Sequence, residues 1–278
     1  MNIVLVSLEV FQPYLLTNIG HLLKTQNKKI FVITNKCFFD NFHDYTKDIT
    51  LIDADALHDI YNFKNKSSLD KNFRNGFWLN TSTRFFAIYS FMNTYQIDRV
   101  IHIENDVLLY YNCDILEPYL DDKIYIPFDS FTRNICSIMY IPSSTVLKQV
   151  LDNYDFNNND MNNFMHIMKK TNLIDTLPIG VTDTSSPEFE FVTKNYKKFN
   201  FIFDAAAIGQ YIGGIDPANN NNQNSIGFIN ETCVIKYNDF NIQWKYVEGI
   251  HKPFLNDNPI FNLHIHSKRL QNFTNYVR

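Results

Sequence analysis

Glu104, Asn105 and Asp106 break an otherwise apolar stretch, IDRVIHIENDVLLYY at Ile97 to Tyr111. Residues two apart in an extended or tightly turned segment point to the same side, so Glu104 and Asp106 can present oxygens to one centre. Two close carboxylates repel unless a cation lies between them. A hard divalent ion takes oxygen ligands and keeps places for water and substrate phosphates, so the pair points to a metal–phosphate site; a solvated turn is the plain alternative. A second constellation stands near the end of the chain. In NLHIHSK, an extended backbone puts Asn262, His264, His266 and Lys268 on one face and Leu263 and Ile265 on the other. Neutral imidazole is a common metal ligand, and a lysine two residues on offers phosphate a point charge. A third stretch, DAAAIGQYIGGIDP, holds Asp204, Asp216 and three of the chain's eight glycines. Small side chains let a backbone or a ligand approach closely, although a short helix ended by a Gly-Gly turn reads equally from the same letters.

These groups need elements to position them. NIVLVS at Asn2 to Ser7 reads as a first central strand, and a helix opens at Pro13 with Leu15, Leu16, Ile19, Leu22 and Leu23 on one side. KIFVIT, Lys29 to Thr34, is a second strand, so the start is a βαβ unit whose crossover implies parallel pairing. Ligands of such sheets bind at strand C-termini, which makes Ser7, Glu9 and Asn35 neighbours of a nucleotide base or ribose. No Gly-rich phosphate loop occurs there, which argues against a dinucleotide enzyme. Further strands are expected at Ile49 to Ile52, within Ile97 to Tyr111 where Val100, Ile101 and Ile103 make a β-branched run, at Ile124 to Phe128 and at Ile135 to Ile141. The spacing predicts helices over Thr81 to Tyr95 and Ser143 to Tyr154. Arg84 near the start of the first can reach a diphosphate as a fixed cation, or be an ordinary surface arginine. Asp160 falls at or near the N-terminus of a further helix carrying Met161, Phe164, Ile167 and Met168, where it can cap the helix or serve the site. Leu177 to Gly180 reads as a turn, and Tyr196 to Phe203 as a mixed strand or helix approach.

Composition narrows the field. With 278 residues, 45% hydrophobic and 15% aromatic, the chain can bury a large core, and no shift of composition marks a second domain. A net charge of −4 gives no basic field of the kind that neutralises nucleic-acid phosphates. The four cysteines are scattered without a CxxC pair, so neither a zinc knuckle nor a disulfide framework is indicated. The N-terminus lacks the cationic start of a signal peptide and no segment is apolar for long enough to span a bilayer, so a cytoplasmic location is expected. Nothing in the pattern excludes a homo-oligomer.

An acid-x-acid strand end after a nucleotide-type βαβ start, followed by a late His and Lys, resembles the GT-A fold of metal-dependent glycosyltransferases. The resemblance implies a single α/β domain, with a mixed Rossmann-like central sheet flanked by helices. Residues 1–112 would bind the nucleotide sugar; residues 113–278 would carry the acceptor side and the C-terminal motif. It implies Mn²⁺ or Mg²⁺ held by Glu104, Asp106 and His264 or His266. Ser7, Glu9, Asn35, Arg84, Asn105 and Lys268 would line a nucleotide-sugar donor, a UDP-sugar by preference, and Asp160, Asp204 and Asp216 would be the candidates for direct action on an unidentified acceptor. DAAAIGQYIGGID and GFINETC at Gly227 to Cys233 also resemble bacterial and viral proteins of this kind. The glycogenin-like retaining family is matched only in part, by Asn159-Asp160-Met161 and Leu177-Pro178. Gly249, His251, Lys252 and Pro253 stand in a different order from that family's C-terminal motif, so stereochemistry is left open. The rivals are a nucleotidyltransferase that makes sugar nucleotides, which VSLEVFQPYL fails to support with a Gly-rich basic loop, and a non-catalytic carbohydrate-binding protein on the same scaffold.

Overall fold

The computed structural model describes residues 1–219, 226–229, 232–237 and 240–274. Residues 220–224 of the Asn-rich run and 230–231 of GFINETC lie outside them. The chain runs β1 (Asn2–Ser7), α1 (Tyr14–Lys24), β2 (Ile30–Thr34), β3 (Ile49–Asp53), α2 (Phe63–Lys66), α3 (Phe77–Tyr95), β4 (Val100–Ile103) and β5 (Val107–Leu109). Then follow β6 (Ile124–Pro127), β7 (Ile138–Ile141), α4 (Ser144–Leu151), α5 (Asp160–Lys170), β8 (Ile174–Leu177), α6 (Pro187–Thr193), α7 (Tyr196–Phe199) and β9 (Ile202–Phe203). The last described elements are α8 (Ala207–Gly213), β10 (Ile242–Val247), β11 (Ile250–Leu255), β12 (Asn258–His264) and α9 (Gln271–Thr274).

Seven strands form a central sheet in the order β3-β2-β1-β4-β7-β6-β8. Every neighbouring pair that excludes β7 is parallel, and β7 runs against both β4 and β6. The fold is therefore the expected mixed α/β sheet flanked by helices. A parallel strand covered on both faces must be apolar throughout, and β1 illustrates this: Val4 and Val6 belong to the cluster under α3, whereas Ile3 and Leu5 pack with Leu15, Ile19 and Leu22 of α1. Helix α3 begins four residues before the expected Thr81 and buries Phe85, Phe86, Ile88, Phe91 and Met92.

The second sheet, β10-β11-β12-β5 with β9 alongside β12, is what positions the chemistry. Strand β4 lies in the first sheet and β5 in the second, so the chain changes sheets across Glu104-Asn105-Asp106. Strand β12 returns antiparallel to β5, pairing Asn262 with Leu109, Leu263 with Leu108 and His264 with Val107. That register sets His264 beside Asp106, and the Ile265 N–H donates to the Asp106 carbonyl at 2.9 Å. Extended structure ends at His264, so His266 and Lys268 lie on a turn rather than on the strand expected from their alternation. Leu177 likewise ends a strand, β8, before the Pro178–Gly180 turn. Among the described residues no helix is long and apolar enough to cross a membrane.

Candidate active site

The acidic turn is fixed from beneath by amides. Asn18 of α1 donates to the carbonyls of Asn105 (3.0 Å) and Val107 (2.9 Å). Asn105 donates through its own amide nitrogen to the Val6 carbonyl and to Gln12 Oε1, and its Oδ1 is buried. Both side-chain N–H groups of Asn105 are thus used inside the fold, where the residue clamps the turn to the end of β1. Released from that task, Glu104 and Asp106 face His264. His264 Nε2 lies 3.0 Å from Glu104 Oε2 and 3.4 Å from Asp106 Oδ1. Its Nδ1 is 2.8 Å from the Ala205 carbonyl, which only accepts, so Nδ1 carries a proton and Nε2 is the atom presented to the acids.

Positive charge brackets the cluster. Arg84 pairs with Glu104 through Nη1 and with Asp160 through Nη2 at 3.0 Å, and Lys268 Nζ pairs with Asp106 Oδ2. Burial pushes both carboxyls up, but Arg84 and His264 outweigh it at Glu104, and Lys268 and His264 at Asp106, so both are held below the usual carboxylate range. Burial disfavours imidazolium at His264, yet Asp106 and Glu104 overcome it and lift the group to about 10. The backbone of Lys268 sits at φ +61°, a conformation that costs a non-glycine residue free energy and is found at sites where a side chain must be aimed.

The ligand atoms of Glu104, Asp106 and His264 lie within 4.8 Å of one another, the one such group among the described residues. Two carboxylate oxygens and an imidazole nitrogen whose far side is already hydrogen-bonded form a donor set that fits Mn²⁺ or Mg²⁺. His266 stands outside this set. Its ring packs on His264 at 3.9 Å between centroids, its Nε2 is buried without a partner among the described residues, and burial followed by the His264 charge pushes its pKa well down.

The three aspartates separate. Asp204 is fully buried and its carboxylate accepts from the N–H groups of Ile208 (2.9 Å), Gly209 (2.8 Å) and His264 (2.9 Å). Expected among the catalytic candidates, it is bonded to backbone N–H groups and holds the histidine strand. Asp160 is buried against Arg84, and the cap of α5 is Asn159, whose Oδ1 accepts from the Asn162 N–H; Asp160 is therefore neither cap nor surface acid. Arg84, spent on two acids, fixes Glu104 rather than projecting toward a diphosphate. Asp216 alone keeps a partly accessible carboxylate, paired with Arg74 at 3.0 Å, and it lies close enough to Lys268 and Tyr14 to act on both electrostatically.

Small residues in DAAAIGQYIGG serve a backbone approach. A Cβ built at Gly209 would stand 2.0 Å from the His264 carbonyl oxygen and 3.0 Å from Asp204 Oδ2. Gly209→Ala is expected to destabilise the fold by about 1–3 kcal/mol, the usual cost of overpacking, by displacing the histidine strand. A melting temperature equal to that of the parent protein would contradict this packing.

Ser7, Glu9 and Asn35 stand at the ends of β1 and β2. The Ser7 hydroxyl donates to the Val10 carbonyl, the Glu9 N–H donates to Asn35 Oδ1 at 2.8 Å, and Asn35 donates to Asp55. The Glu9 carboxylate pairs with Lys64. Tyr14 was not singled out by sequence. It opens α1 directly after Pro13, its ring lies 5.7 Å from Lys268 Nζ, and burial with Asp106, Glu104 and Asp216 nearby pushes its hydroxyl pKa up. An aromatic in the first turn after a nucleotide-type β1 was the available signal.

No family model matches this chain, and no curated protein matches it by sequence. Solved structures do. Mouse xyloside xylosyltransferase 1 in its apo form is 12% identical over 64% of this chain and 84% of its own, with a TM-score of 0.43. The glycosyltransferase GlyE of Streptococcus pneumoniae TIGR4 is 14% identical over 63% of this chain and 44% of its own, with a TM-score of 0.42. A cytidylyltransferase from Leptospira borgpetersenii is 10% identical over 64% of this chain and 75% of its own, with a TM-score of 0.38.

Proposed function

We propose that the protein is a metal-dependent glycosyltransferase that moves a sugar from a nucleotide-diphosphate donor, a UDP-sugar by preference, to a hydroxyl acceptor. The observation that carries this reading is the convergence of Glu104, Asp106 and His264 Nε2 at the point where the chain changes sheets, with Lys268 beside them. Glu104, Asp106 and His264 would hold Mn²⁺ or Mg²⁺, which supplies Lewis-acid stabilisation of a departing diphosphate. The protein's own share is electrostatic and positional. Lys268 sits in a partly exposed position from which its ammonium can leave Asp106 for a phosphate oxygen. Arg84 and Asp160 lock the Glu104 carboxylate, and Asp204 and the Ala205 carbonyl lock His264, so that the ligand atoms need little reorganisation. Ser7, Glu9 and Asn35 edge the nucleoside side. Asp216, whose carboxylate is partly accessible, would orient an acceptor hydroxyl.

The proton on His264 Nε2 must leave when a metal binds. With the group lifted to about 10 in the metal-free protein, binding at pH 7.5 should release about one proton per ion, and affinity should strengthen as pH rises toward that value. Calorimetry of Mn²⁺ binding in buffers of different ionisation enthalpy measures the count; heats independent of buffer would contradict His264 as ligand. The function itself is tested by release of nucleoside diphosphate from a panel of sugar nucleotides with and without Mn²⁺. Release that requires the metal is expected, and silence across the panel would overturn the reading.

A further inference from the structure

The turn that aims Lys268 at Asp106 presents the preceding residue, Ser267, to a separate cavity of about 450 Å³. That volume lies in the range of small-molecule sites, roughly 300–1,000 Å³. Its walls come from α8, the start of β10 and the segment through α9. Tyr211, Phe240, Trp244 and Phe273 supply aromatic surface, and Asn241, Asn272 and Arg269 supply polar groups at the same opening. The aromatic wall is fixed from behind: Trp244 meets Tyr110 edge-on at 5.6 Å and tilts on Phe273 at 6.5 Å, while the Tyr110 hydroxyl donates to the Phe273 carbonyl. Gly213 leaves the space open, since a Cβ there would come within 3.2 Å of the Phe273 ring and 3.5 Å of Ser267 Oγ.

Ser267 Oγ carries the argument further. It is buried, lines the cavity and has no hydrogen-bond partner among the described residues. A buried hydroxyl left unpaired is costly, so it calls for a polar group in the cavity. A purely apolar occupant would leave this hydroxyl and the two amides unanswered. Among the described lining residues a polyanion would find one arginine, and a cation would find no acid. A pyranose answers all of them, with an apolar C–H face for the aromatic rings and hydroxyls for the amides, Ser267 and the guanidinium.

We propose that this cavity binds a saccharide unit of the acceptor, distal to the hydroxyl that receives the sugar. The proposal rests on the glycosyltransferase reading, because Ser267 in the cavity wall directly precedes Lys268, whose ammonium pairs with Asp106. The chain has two tryptophans, so Trp78→Phe leaves Trp244 as the sole indole reporter. Titration of that protein with the methyl glycosides of glucose, galactose, mannose and N-acetylglucosamine should give a saturable change of Trp244 emission with at least one of them. Arg269→Ala and Asn272→Ala, both at exposed positions, should each weaken it about tenfold, the loss expected from a hydrogen bond to a charged or amide group. Mn²⁺-dependent release of nucleoside diphosphate is measured alongside with the Trp78→Phe protein. No emission change with any glycoside, while that release proceeds, would overturn the cavity and leave the function standing. Saturable binding that both variants leave unaltered would also overturn it. Saturable binding without release from any sugar nucleotide would remove the acceptor role together with the glycosyltransferase reading.

Discussion

Asp106→Asn is expected to keep the fold and to lower Mn²⁺ affinity by more than about 100-fold, because groups that merely orient ligands already account for about 10–100-fold. Asparagine preserves the volume but removes one of the two charges that converge on His264 Nε2. Without it Lys268 loses its carboxylate partner, and as a partly exposed side chain it can turn to water. Glu104→Gln should act in the same direction. His266→Ala is the informative contrast, since its ring lies against His264 but outside the ligand set, and it should change affinity only a few-fold. Calorimetric titration of the three variants with Mn²⁺ checks this. An Asp106→Asn protein that binds the ion as the parent does would place the metal elsewhere.

Arg84→Met should destabilise the protein by about 3–5 kcal/mol, the range for removing one partner of a buried ion pair. The guanidinium is buried between Glu104 and Asp160, and no second cation is paired with Asp160 among the described residues. Burial already pushes the Asp160 carboxyl up, against the pull of Arg84, so loss of the arginine would drive it to bind a proton in the folded state. The sign follows: a group whose folded pKa is raised costs stability above its unfolded value, so the variant should recover as pH falls toward the carboxylate range. Arg84→Met combined with Asp160→Asn should regain part of the loss, because the uncompensated charge is gone. Denaturant unfolding of the single and double variants tests both statements, and additivity of the two substitutions would contradict the pairing.

Legibility in the sequence followed exposure. Strands β1, β2 and β4 are covered on both faces, so NIVLVS, IFVIT and VIHI read as mainly apolar runs. Strands β10 and β11 were missed because IQWKYV and IHKPFL lie half-exposed and mix polar with apolar residues without a clean period. The residue types of the cluster were readable as short local patterns, Glu104 with Asp106 and His264 near Lys268. What joins those patterns was not. The pairing of β5 with β12 sets their register over more than 150 residues of chain, and no local spacing encodes it. The same holds for Asp204 and Arg84, whose partners come from distant backbone and side chains; by letter alone a structural aspartate and a catalytic one look alike. The direction of Asn105 was hidden for a related reason, since its amide faces β1 while its neighbours on either side face the cluster.

The most direct test of the central claim is a crystal of the protein soaked with Mn²⁺ and UDP, measured at the manganese absorption edge. A single anomalous peak is predicted between the Glu104 and Asp106 carboxylates and His264 Nε2, with Lys268 Nζ moved from Asp106 to a phosphate oxygen. An anomalous peak at any other place, or none at this cluster with UDP bound, would contradict the account.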